Sequence, residues 1–470
     1  MASHQQIKQE RWSLPRALRL ALLGLVIFIT GTALLVAILY SKDADITALA
    51  PTTIDQPRSW RGKGTFPGSG PHASHSPDAT TDACSTIHIP KVALLFLTRG
   101  DMPHEASWAA WLASVQGMVP IDRMRDTAVC ERVGADCPGQ QSQRVQLETP
   151  GLMGQYLFTV YIHPAPKYSA YPPGSLFHGR EVADRVQVRW GEFGMVEALR
   201  SLLRAALKDP LNERFQLLCE HTLPLQSPLL IYQQLMKEPR SRVNACVKED
   251  WQWQESWRNN TMERWTPRML PTIPKVLWRK SSQWVALTRP HAMRAVEDTV
   301  IMKSIKKHCV YGYDSYLRRK RDCYSDEHYV PVLLAYLGLD NETTCNGNTM
   351  HVSWQSSSGK HIGEHPMSYS VKSVSLGVFL WLRQAGNMDL FCNEVATTRS
   401  VRAMYIHVSK MREFDCQRAA QLTWDASILE DCPLFSRKFG PKTAAPATTL
   451  LTSCEPYLGI APKPDCQYWQ

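Results

Sequence analysis

The segment from residue 20 to residue 40 constrains the fold more than any other part of the chain. It reads LALLGLVIFITGTALLVAILY and contains no charged residue. A helix needs about 20 apolar residues to cross the hydrocarbon core of a bilayer. A cleaved signal peptide would have a shorter apolar region and a small-residue cleavage site. We therefore predict a retained transmembrane anchor over residues 20–40, and not a buried helix of a soluble protein.

The charges around this segment indicate its orientation. Four basic residues lie within residues 1–19, whereas Asp43 and Asp45 follow the segment closely. Because the more basic flank stays in the cytoplasm, residues 1–19 are predicted to be a cytosolic tail and the rest of the chain to be luminal. Residues 41–85 are rich in Pro, Ser, Thr and Gly without apolar periodicity, which predicts a flexible stem.

Cysteines and sequons fit a luminal location. The thirteen cysteines are scattered and form no CxxC pair, so several are expected to form disulfides in an oxidising lumen. Their odd number leaves at least one thiol outside an intramolecular bond. Asn259 and Asn341 begin N-x-T sequons, and both are predicted to be exposed glycosylation positions.

The charge balance bears on partners. The formal net charge of +10 favours anionic partners, although a mildly basic solvated surface explains it equally. No long run of Lys and Arg is interleaved with aromatic residues, so nucleic-acid binding is disfavoured.

From about residue 90, short apolar runs alternate with helical patterns. Strands are predicted within residues 91–100, 155–164 and 214–225, and helices over residues 106–115, 194–209 and 229–237. This alternation predicts an α/β fold with a mostly parallel sheet flanked by helices. In such sheets ligands bind beyond the carboxyl ends of the strands. The polar residues at these predicted ends are Thr98, Arg99, His163, Glu220 and His221.

Seven sequence blocks occur in a family-specific order between residues 91 and 440. They are KVALLFLTRGDMP, YIHPAPKY, SLFHGREV, RWGEFGMVEALRSLLRAALKDPLNERFQLLCEHTLPL, RMLPTIPKVLWRKSSQWVALTR, CYSDEHYVPVLL and CPLFSRKFG. Together they resemble the core-2/I-branching β-1,6-N-acetylglucosaminyltransferases, most closely the plant and algal branch. The resemblance implies a GT-A-like catalytic domain over residues 86–445, followed by a tail over residues 446–470. It also implies an inverting mechanism, a UDP-sugar donor and no bound metal ion.

The sequence offers little for a metal-dependent mechanism. The D-x-D spacing that metal-dependent GT-A enzymes need occurs at Asp43 and Asp45, beside the predicted anchor. Arg and Lys side chains can instead neutralise a leaving diphosphate through charge-assisted hydrogen bonds. In the resemblance, Lys438 matches the family's diphosphate-binding lysine and Arg437 stands beside it. An ordinary exposed basic pair is the alternative reading. Arg383, Arg399 and Arg402 compete for the role of a further diphosphate-binding arginine.

A carboxylate is needed to take the proton from the attacking acceptor hydroxyl. Glu327, in the run YSDEH, matches the family's catalytic base. Asp326 and His328 are expected to orient it or to contact the acceptor. The alternative is a helix start, since Ser325 could be the N-cap and acidic residues are favoured in a first helical turn. Both readings are compatible.

Three further groups of site residues follow from the resemblance. Arg279, Lys280 and Trp284 belong to a donor or acceptor loop, or to a strand entry with solvated charges. Thr98, Arg99 and His163 line the nucleotide pocket. Glu220 and His221 contact the acceptor, or are a polar pair at a strand end. Ala165 stands where animal members carry an Asp, which leaves the donor sugar open.

The expected function is sugar transfer in the Golgi lumen by a single-pass type II membrane protein. The donor is a UDP-sugar, with GlcNAc as the first choice, and the acceptor is a glycan or glycoprotein. UDP-GlcA and UDP-Xyl are alternative donors. A non-catalytic luminal binding protein of the same fold and a cell-surface ectodomain are the alternative functions. Tail, anchor, stem and cysteine-bearing domain are the usual layout of Golgi transferases, but an ectodomain would share it.

Overall fold

The computed structural model describes residues 86–87, 89–120, 146–147, 155–246, 263–344, 349–354, 365–384, 405–407 and 433–453. All of them belong to one unit, Asp78–Gln470. The predicted tail, anchor and stem, residues 1–85, all lie outside these ranges. None of the helices within the described ranges is both long enough and apolar enough to cross a membrane.

Strands and helices alternate along the described part of the chain. The strands are β1 Thr86–Ile87, β2 Lys91–Leu97, β3 Met118–Pro120, β4 Gln146–Leu147, β5 Phe158–His163, β6 Asn212–Cys219, β7 Leu223–Pro224, β8 Ala286–Thr288, β9 Tyr313–Asp314, β10 Arg319–Lys320, β11 Met350–Val352, β12 Tyr405–His407 and β13 Phe435–Arg437. The α-helices are α1 Glu105–Ala113, α2 Gly194–Ala206, α3 Pro228–Lys237, α4 Arg289–Glu297, α5 Val300–His308, α6 Ser325–Tyr336, α7 Leu376–Gln384 and α8 Ala444–Leu451.

The main sheet has the strand order β5-β2-β6-β8. β2 is parallel to both β5 and β6, and β8 is an antiparallel edge strand on β6. Every residue of β2 is buried, which is why its sequence KVALLFL is a continuous apolar run after the first position. The exception is Lys91, whose buried ammonium lies 3.2 Å from an Asp209 carboxylate oxygen. The predicted α/β class with a mostly parallel sheet is confirmed.

Helix α2 covers one face of this sheet. Its apolar positions recur at helical spacing, so that Val196, Leu199 and Leu203 are buried together. Arg200 is buried on the same helix and donates to the carbonyl oxygens of Ala295, Val296 and Asp298 and to the Tyr329 hydroxyl. This residue therefore fastens α2 to the end of α4 and to α6.

A smaller sheet, in the order β11-β13-β7, adjoins the loop after β6. β13 pairs antiparallel with β7, with Phe435 opposite Pro224 and Ser436 opposite Leu223. The pairing joins segments that are some two hundred residues apart in sequence. It places the residues that follow β13 beside those that follow β6.

The predicted strands and helices of the amino-terminal half are confirmed with boundary differences of a few residues. The strand predicted over 214–225 is two strands, β6 and β7, separated by the turn that carries the polar pair after β6. Cys309 and Cys323 form a disulfide, as expected for a luminal chain. Cys219 is a buried free thiol.

Candidate functional site

The first part of the site lies where three parallel strands end at one level. Leu97 of β2 is opposite His163 of β5 and also opposite Cys219 of β6. Thr98, Arg99 and the pair after Cys219 therefore emerge at the same carboxyl edge of the sheet. This edge is where open α/β sheets bind their ligands.

The turn after β2 has a tightly fixed backbone. The Gly100 N–H donates to the Thr98 hydroxyl over 3.0 Å, and the Tyr171 hydroxyl donates to the Gly100 carbonyl. Gly100 has a φ of +150°, and a Cβ there would lie 2.2 Å from the Tyr168 ring. Only glycine fits this turn without displacing that ring. The turn holds Arg99 outward, with 86% of its side chain exposed.

The segment after β13 lies against the residues after β6. The Phe439 N–H donates to the His221 carbonyl over 3.0 Å, and the Phe439 carbonyl contacts the His104 Nε2 at 3.1 Å. Phe439 itself is fully buried. The side chains of Arg437 and Lys438 are thereby fixed next to the end of β6.

Three cations gather at this edge: Arg99, Arg437 and Lys438, which we call the cationic group. Burial lowers the pKa of Lys438, and the neighbouring charges of Arg437 and Arg99 lower it further. The Arg99 Nε lies 3.6 Å from a Glu220 carboxylate oxygen. Such a concentration of positive charge is suited to an anionic group such as a diphosphate.

The two residues after β6 respond to these cations. Burial raises the pKa of Glu220, and Arg99, Arg437 and Lys438 act in the opposite direction. Burial lowers the pKa of His221 to about 4, with Lys438 and Arg437 as the next causes. His221 is therefore a neutral imidazole at neutral pH and adds no positive charge to the site.

Cys219, Glu220 and His221 offer one ligand atom each within 4.8 Å of one another. Thiolate, carboxylate and imidazole are the donors of zinc sites. However, three cationic side chains act on this trio, and bringing a divalent cation next to them would be electrostatically costly. The Cys219 sulfur also contacts the Thr222 hydroxyl at 3.3 Å. The trio therefore fits a resident metal ion poorly.

The second part of the site is a carboxylate at the start of α6. Glu327 is in the first turn of this helix. Its Oε2 accepts a hydrogen bond from Arg264 Nη1 at 2.5 Å and lies 3.4 Å from Lys280 Nζ. Both cations contact the same oxygen. The arrangement leaves Oε1 available to accept a proton from an incoming hydroxyl.

Asp326 lies beneath Glu327, in a small pocket that is also lined by Leu97, Leu217 and Gln283. Its Oδ1 is buried and has no hydrogen-bond partner. Burial, and after it the negative charge of Glu327, raise the pKa of Asp326 to about 7. Leu97 is the last residue of β2, so α6 begins close to the carboxyl edge of the main sheet.

Residues 279–284, the RKSSQW segment, connect the two parts. Lys280 contacts the Glu327 carboxylate, while the Arg437 guanidinium lies 4.5 Å from the centre of the Trp284 ring. Between them, the Ser281 N–H donates to the Glu327 carbonyl over 2.9 Å. Four residues of extended chain span at most about 14 Å between Cα atoms. The carboxylate and the cationic group are thus held by one short segment.

The sequence comparisons agree with this architecture. The family described as Core-2/I-Branching enzyme matches residues 144–383, about half of the chain. The chain belongs to this family. Among curated proteins, Glycosyltransferase BC10 of Oryza sativa subsp. japonica is 34% identical over 249 residues. The alignment covers 49% of this chain and 59% of the rice protein, so the chain spans well under two thirds of that relative.

In this core-2/I-branching family member, several predicted site residues lie below the surface. His163 is fully buried, and its Nε2 accepts a hydrogen bond from the Val186 N–H. Thr98 is buried in its turn. Both lie at the predicted strand ends. Their side chains are buried there, so they stabilise the carboxyl edge of the sheet and expose few atoms to a ligand.

His328 and Trp284 are buried as well. His328 stacks on Trp278, with ring centroids 4.2 Å apart, and its Nδ1 lies 2.6 Å from the Arg279 carbonyl. Burial keeps the pKa of His328 well below its usual value. Of its two predicted roles, orienting Glu327 through the start of α6 is compatible with this buried environment, and the acceptor contact has no exposed imidazole atom to make it. Trp284 faces Arg437, so it positions a cation and is not an exposed sugar platform.

Arg279 is used for internal hydrogen bonds. Its guanidinium donates to the carbonyl oxygens of Ala245 and Val276 and lies 3.9 Å from the Asp340 carboxylate. Arg279 therefore has an internal structural role, whereas Lys280 is the basic residue of the segment that contacts Glu327; a substrate contact by either remains a prediction. The hydroxyl of Ser281, the next residue of the segment, accepts from the Asn244 N–H over 3.0 Å.

Two residues of the site were not anticipated as functional. Arg264 contacts Glu327, and its guanidinium also lies 4.5 Å from the Tyr324 ring centre. Trp190 is 42% exposed and contacts Tyr324 with ring centroids 5.0 Å apart. Neither stands in a charged or aromatic run. The signal that reveals them is their spatial contact with the YSDEH run.

The glycosylation and arginine predictions fall partly outside the described residues. Asn341 is exposed, as predicted, whereas Asn259 is outside the described ranges. Glycosylation at both remains a prediction. Arg399 and Arg402 also lie outside these ranges, and nothing is described of the Arg383 side chain.

Proposed function

We propose that this chain is an inverting glycosyltransferase that moves a sugar from a UDP-sugar to a hydroxyl of a glycan acceptor. The observation that carries the proposal is the RKSSQW segment, which contacts the Glu327 carboxylate through Lys280 and Arg437 of the cationic group through Trp284. Membership of the core-2/I-branching family supports it, as does the name of the rice relative. A GT-A-like fold for the α/β unit is part of the same proposal.

The chemistry follows from what each group can do. The acceptor hydroxyl attacks the anomeric carbon of the donor, and Glu327 takes its proton. A bond forms between the acceptor oxygen and that carbon while the bond from the carbon to the diphosphate oxygen breaks. The leaving UDP gains negative charge, which Arg99, Arg437 and Lys438 are placed to stabilise. Attack opposite the leaving group inverts the anomeric configuration.

GlcNAc is the first candidate for the transferred sugar, because the family is named for it. UDP-GlcA and UDP-Xyl are the other candidates, since Ala165 lacks the carboxylate that the animal members carry. The acceptor is a glycan or glycoprotein, and the enzyme acts in the Golgi lumen from a single-pass type II anchor over residues 20–40. No metal ion is required, since side-chain cations take its electrostatic role.

The decisive experiment replaces Glu327 by Gln in the full-length chain and measures transfer from a panel of UDP-sugars to glycan acceptors. The expected loss is about 10²-fold or more, the range in which general-base catalysis contributes. Glu297→Gln is the matched control, because Glu297 is an exposed helical glutamate on α4. Unchanged transfer by Glu327→Gln would remove this residue from the mechanism.

Two companion measurements separate the alternatives. Donor binding by a wild-type protein that transfers no sugar would indicate the non-catalytic binding protein. Full activity in EDTA is expected for the metal-free mechanism, whereas strict dependence on Mn²⁺ would refute that part of the proposal. Separate measurements with UDP-GlcNAc, UDP-GlcA and UDP-Xyl rank the three donors.

A further inference from the structure

The loop between Cys309 and Cys323 is closed by a disulfide and contains the hairpin β9–β10. Its tip is strongly exposed: Tyr313 is 67% exposed and Tyr316 is 53% exposed. The cross-link and the hairpin hydrogen bonds limit the conformations of this loop. The guanidinium of Arg268 lies over the Tyr316 ring, 4.3 Å from its centre, so cations and aromatic rings are exposed together at this loop.

This loop and the end of helix α5, which precedes it, together carry an excess of positive charge. Residues 303–323 contain seven Lys and Arg but only two acidic residues, Asp314 and Asp322. Asp314 is buried and is bound by Arg321 at 2.8 Å, so its charge is neutralised inside the protein. Asp322 lies 3.1 Å from Lys320. The basic residues nearer the surface therefore outnumber the carboxylates available to them.

Five exposed cations form what we call the basic face: Arg268, Lys303, Lys307, Arg318 and Arg319. Lys303 and Lys307 are one helical turn apart on α5, and Arg318 and Arg319 are consecutive. The closeness of Arg268, Lys307 and Arg319 is visible in the groups that they surround. After burial, the positive charges of Lys307 and Arg268 lower the pKa of His308. Arg319 and Arg268 act in the same direction on Arg321. Like charges held this close repel one another, and an anionic partner would relieve that repulsion.

The basic face is continuous with the candidate acceptor side of the site. Arg319 Nη2 donates to the Glu263 carbonyl over 3.1 Å, and Arg321 Nη1 donates to the Arg264 carbonyl. Arg264 is the residue that binds the Glu327 carboxylate. Tyr311, inside the disulfide loop, contacts Trp190 with ring centroids 5.3 Å apart. A chain of contacts through Arg321, Arg264 and the partly exposed ring of Tyr311 thus links the loop to Glu327.

We propose that the basic face binds an anionic stretch of the acceptor polysaccharide while one sugar of that polymer reaches Glu327. The chemical class is a polymer that bears carboxylates or sulfates, with uronic acids as the simplest example. The proposal rests on the proposed function, since it names the acceptor of the same site. A polysaccharide fits better than a lipid surface because exposed tyrosine rings beside the cations can pack against sugar faces.

The test compares binding and transfer by a triple variant, Lys307→Gln, Arg318→Asn and Arg319→Gln. Asn suits position 318, where φ is +49°, and Gln at 319 keeps a donor for the Glu263 carbonyl. The control removes three exposed cations elsewhere, with Lys208→Gln, Arg294→Gln and Lys372→Gln. Full-length protein in detergent is titrated with polygalacturonate, with neutral galactan and with phosphatidylserine vesicles.

Polygalacturonate should bind wild type and control alike, and its affinity for the triple variant should fall about tenfold. Salt should weaken wild-type binding, as it does for exposed charges. Transfer to a short neutral acceptor should be unchanged in the triple variant, whereas the KM for an acidic polymer acceptor should rise by a similar factor. Equal polygalacturonate binding by the variant and wild type would overturn the proposal.

Preferential binding to the vesicles would also overturn it, in favour of a membrane contact. These outcomes are separable from a failure of the proposed function. If wild type and the triple variant have the same affinity and KM for the acidic polymer while Glu327→Gln abolishes transfer, only the assignment of an anionic acceptor fails. If wild type transfers no sugar to any acceptor, the proposed function fails, and polygalacturonate binding still decides whether the basic face holds an anionic polymer.

Discussion

Replacing Asp326 by Asn should stabilise the protein by an amount that grows as the pH rises. Asp326 lies in a pocket with apolar walls, its Oδ1 lacks a partner, and burial raises its pKa to about 7 from an ordinary value of 3.8. The folded state therefore keeps the proton after the unfolded state has lost it. For such a group, stability falls as the pH rises from the unfolded pKa to the folded pKa and is constant above the latter.

The magnitude follows from about 1.36 kcal/mol for each unit of pKa difference. At pH 5 the ionisable carboxyl costs the wild type about 1.6 kcal/mol, and at pH 7.5 about 4 kcal/mol. Asn does not titrate. The free energy of unfolding of Asp326→Asn minus that of wild type should therefore increase by about 2.5 kcal/mol between pH 5 and pH 7.5. The buried Asn amide has its own cost when it lacks a hydrogen-bond partner, but this cost does not depend on pH. The change with pH in the difference between the two free energies of unfolding therefore isolates the effect of the carboxyl group.

The assay is urea unfolding of wild type and Asp326→Asn at several pH values between 5 and 7.5, followed by tryptophan fluorescence. Part of the pKa increase comes from the negative charge of Glu327, so the same comparison in a Glu327→Gln background should show a smaller pH dependence. A stability difference that stays constant from pH 5 to 7.5 would refute the argument that Asp326 is protonated in the folded protein near neutrality.

The remaining predictions concern the cations and the aromatic surface. Lys438→Ala should raise the KM for the UDP-sugar and lower kcat, whereas the exposed neighbour Lys442→Ala should change neither; equal kinetics for both variants would contradict the role of Lys438. Arg200→Met should lower the free energy of unfolding by about 3 kcal/mol, because several buried acceptors lose their donor; a change below 1 kcal/mol would contradict this. Trp190→Ala should raise the acceptor KM several-fold without altering donor KM, and a selective donor effect would argue otherwise.

The sequence predicts the main sheet well because its signals are local. A run such as KVALLFL is buried on both faces and reads as a strand without knowledge of its neighbours. The residues after each strand are then placed at one edge by the parallel arrangement alone. That reasoning predicts that Arg99 and Glu220 are neighbours, and the Arg99 Nε does lie 3.6 Å from a Glu220 carboxylate oxygen.

The sequence does not predict from local patterns that the residues after β13 lie beside the end of β6. Lys438 reaches the end of β6 only through the pairing of β13 with β7, a contact of very large sequence separation that no periodicity reveals. Its role was predicted from the family resemblance instead. The burial of Trp284 and His328 was also missed, since a charged run such as RKSSQW gives no sign of which side chains point inward.

In the proposed function, the RKSSQW segment fixes the position of Glu327 relative to Arg437. Lys280 and Trp284 lie on one backbone whose intervening N–H, that of Ser281, donates to the Glu327 carbonyl over 2.9 Å. Trp284 is buried against the guanidinium of Arg437, so a displacement at one end is transmitted to the other through bonded atoms. The proposed transfer requires Glu327 and the cations proposed to bind the diphosphate to keep their separation to within about 1 Å. The segment before β8 is held by the contacts of Lys280, Ser281 and Trp284. It therefore provides that constraint more reliably than two loops that move separately.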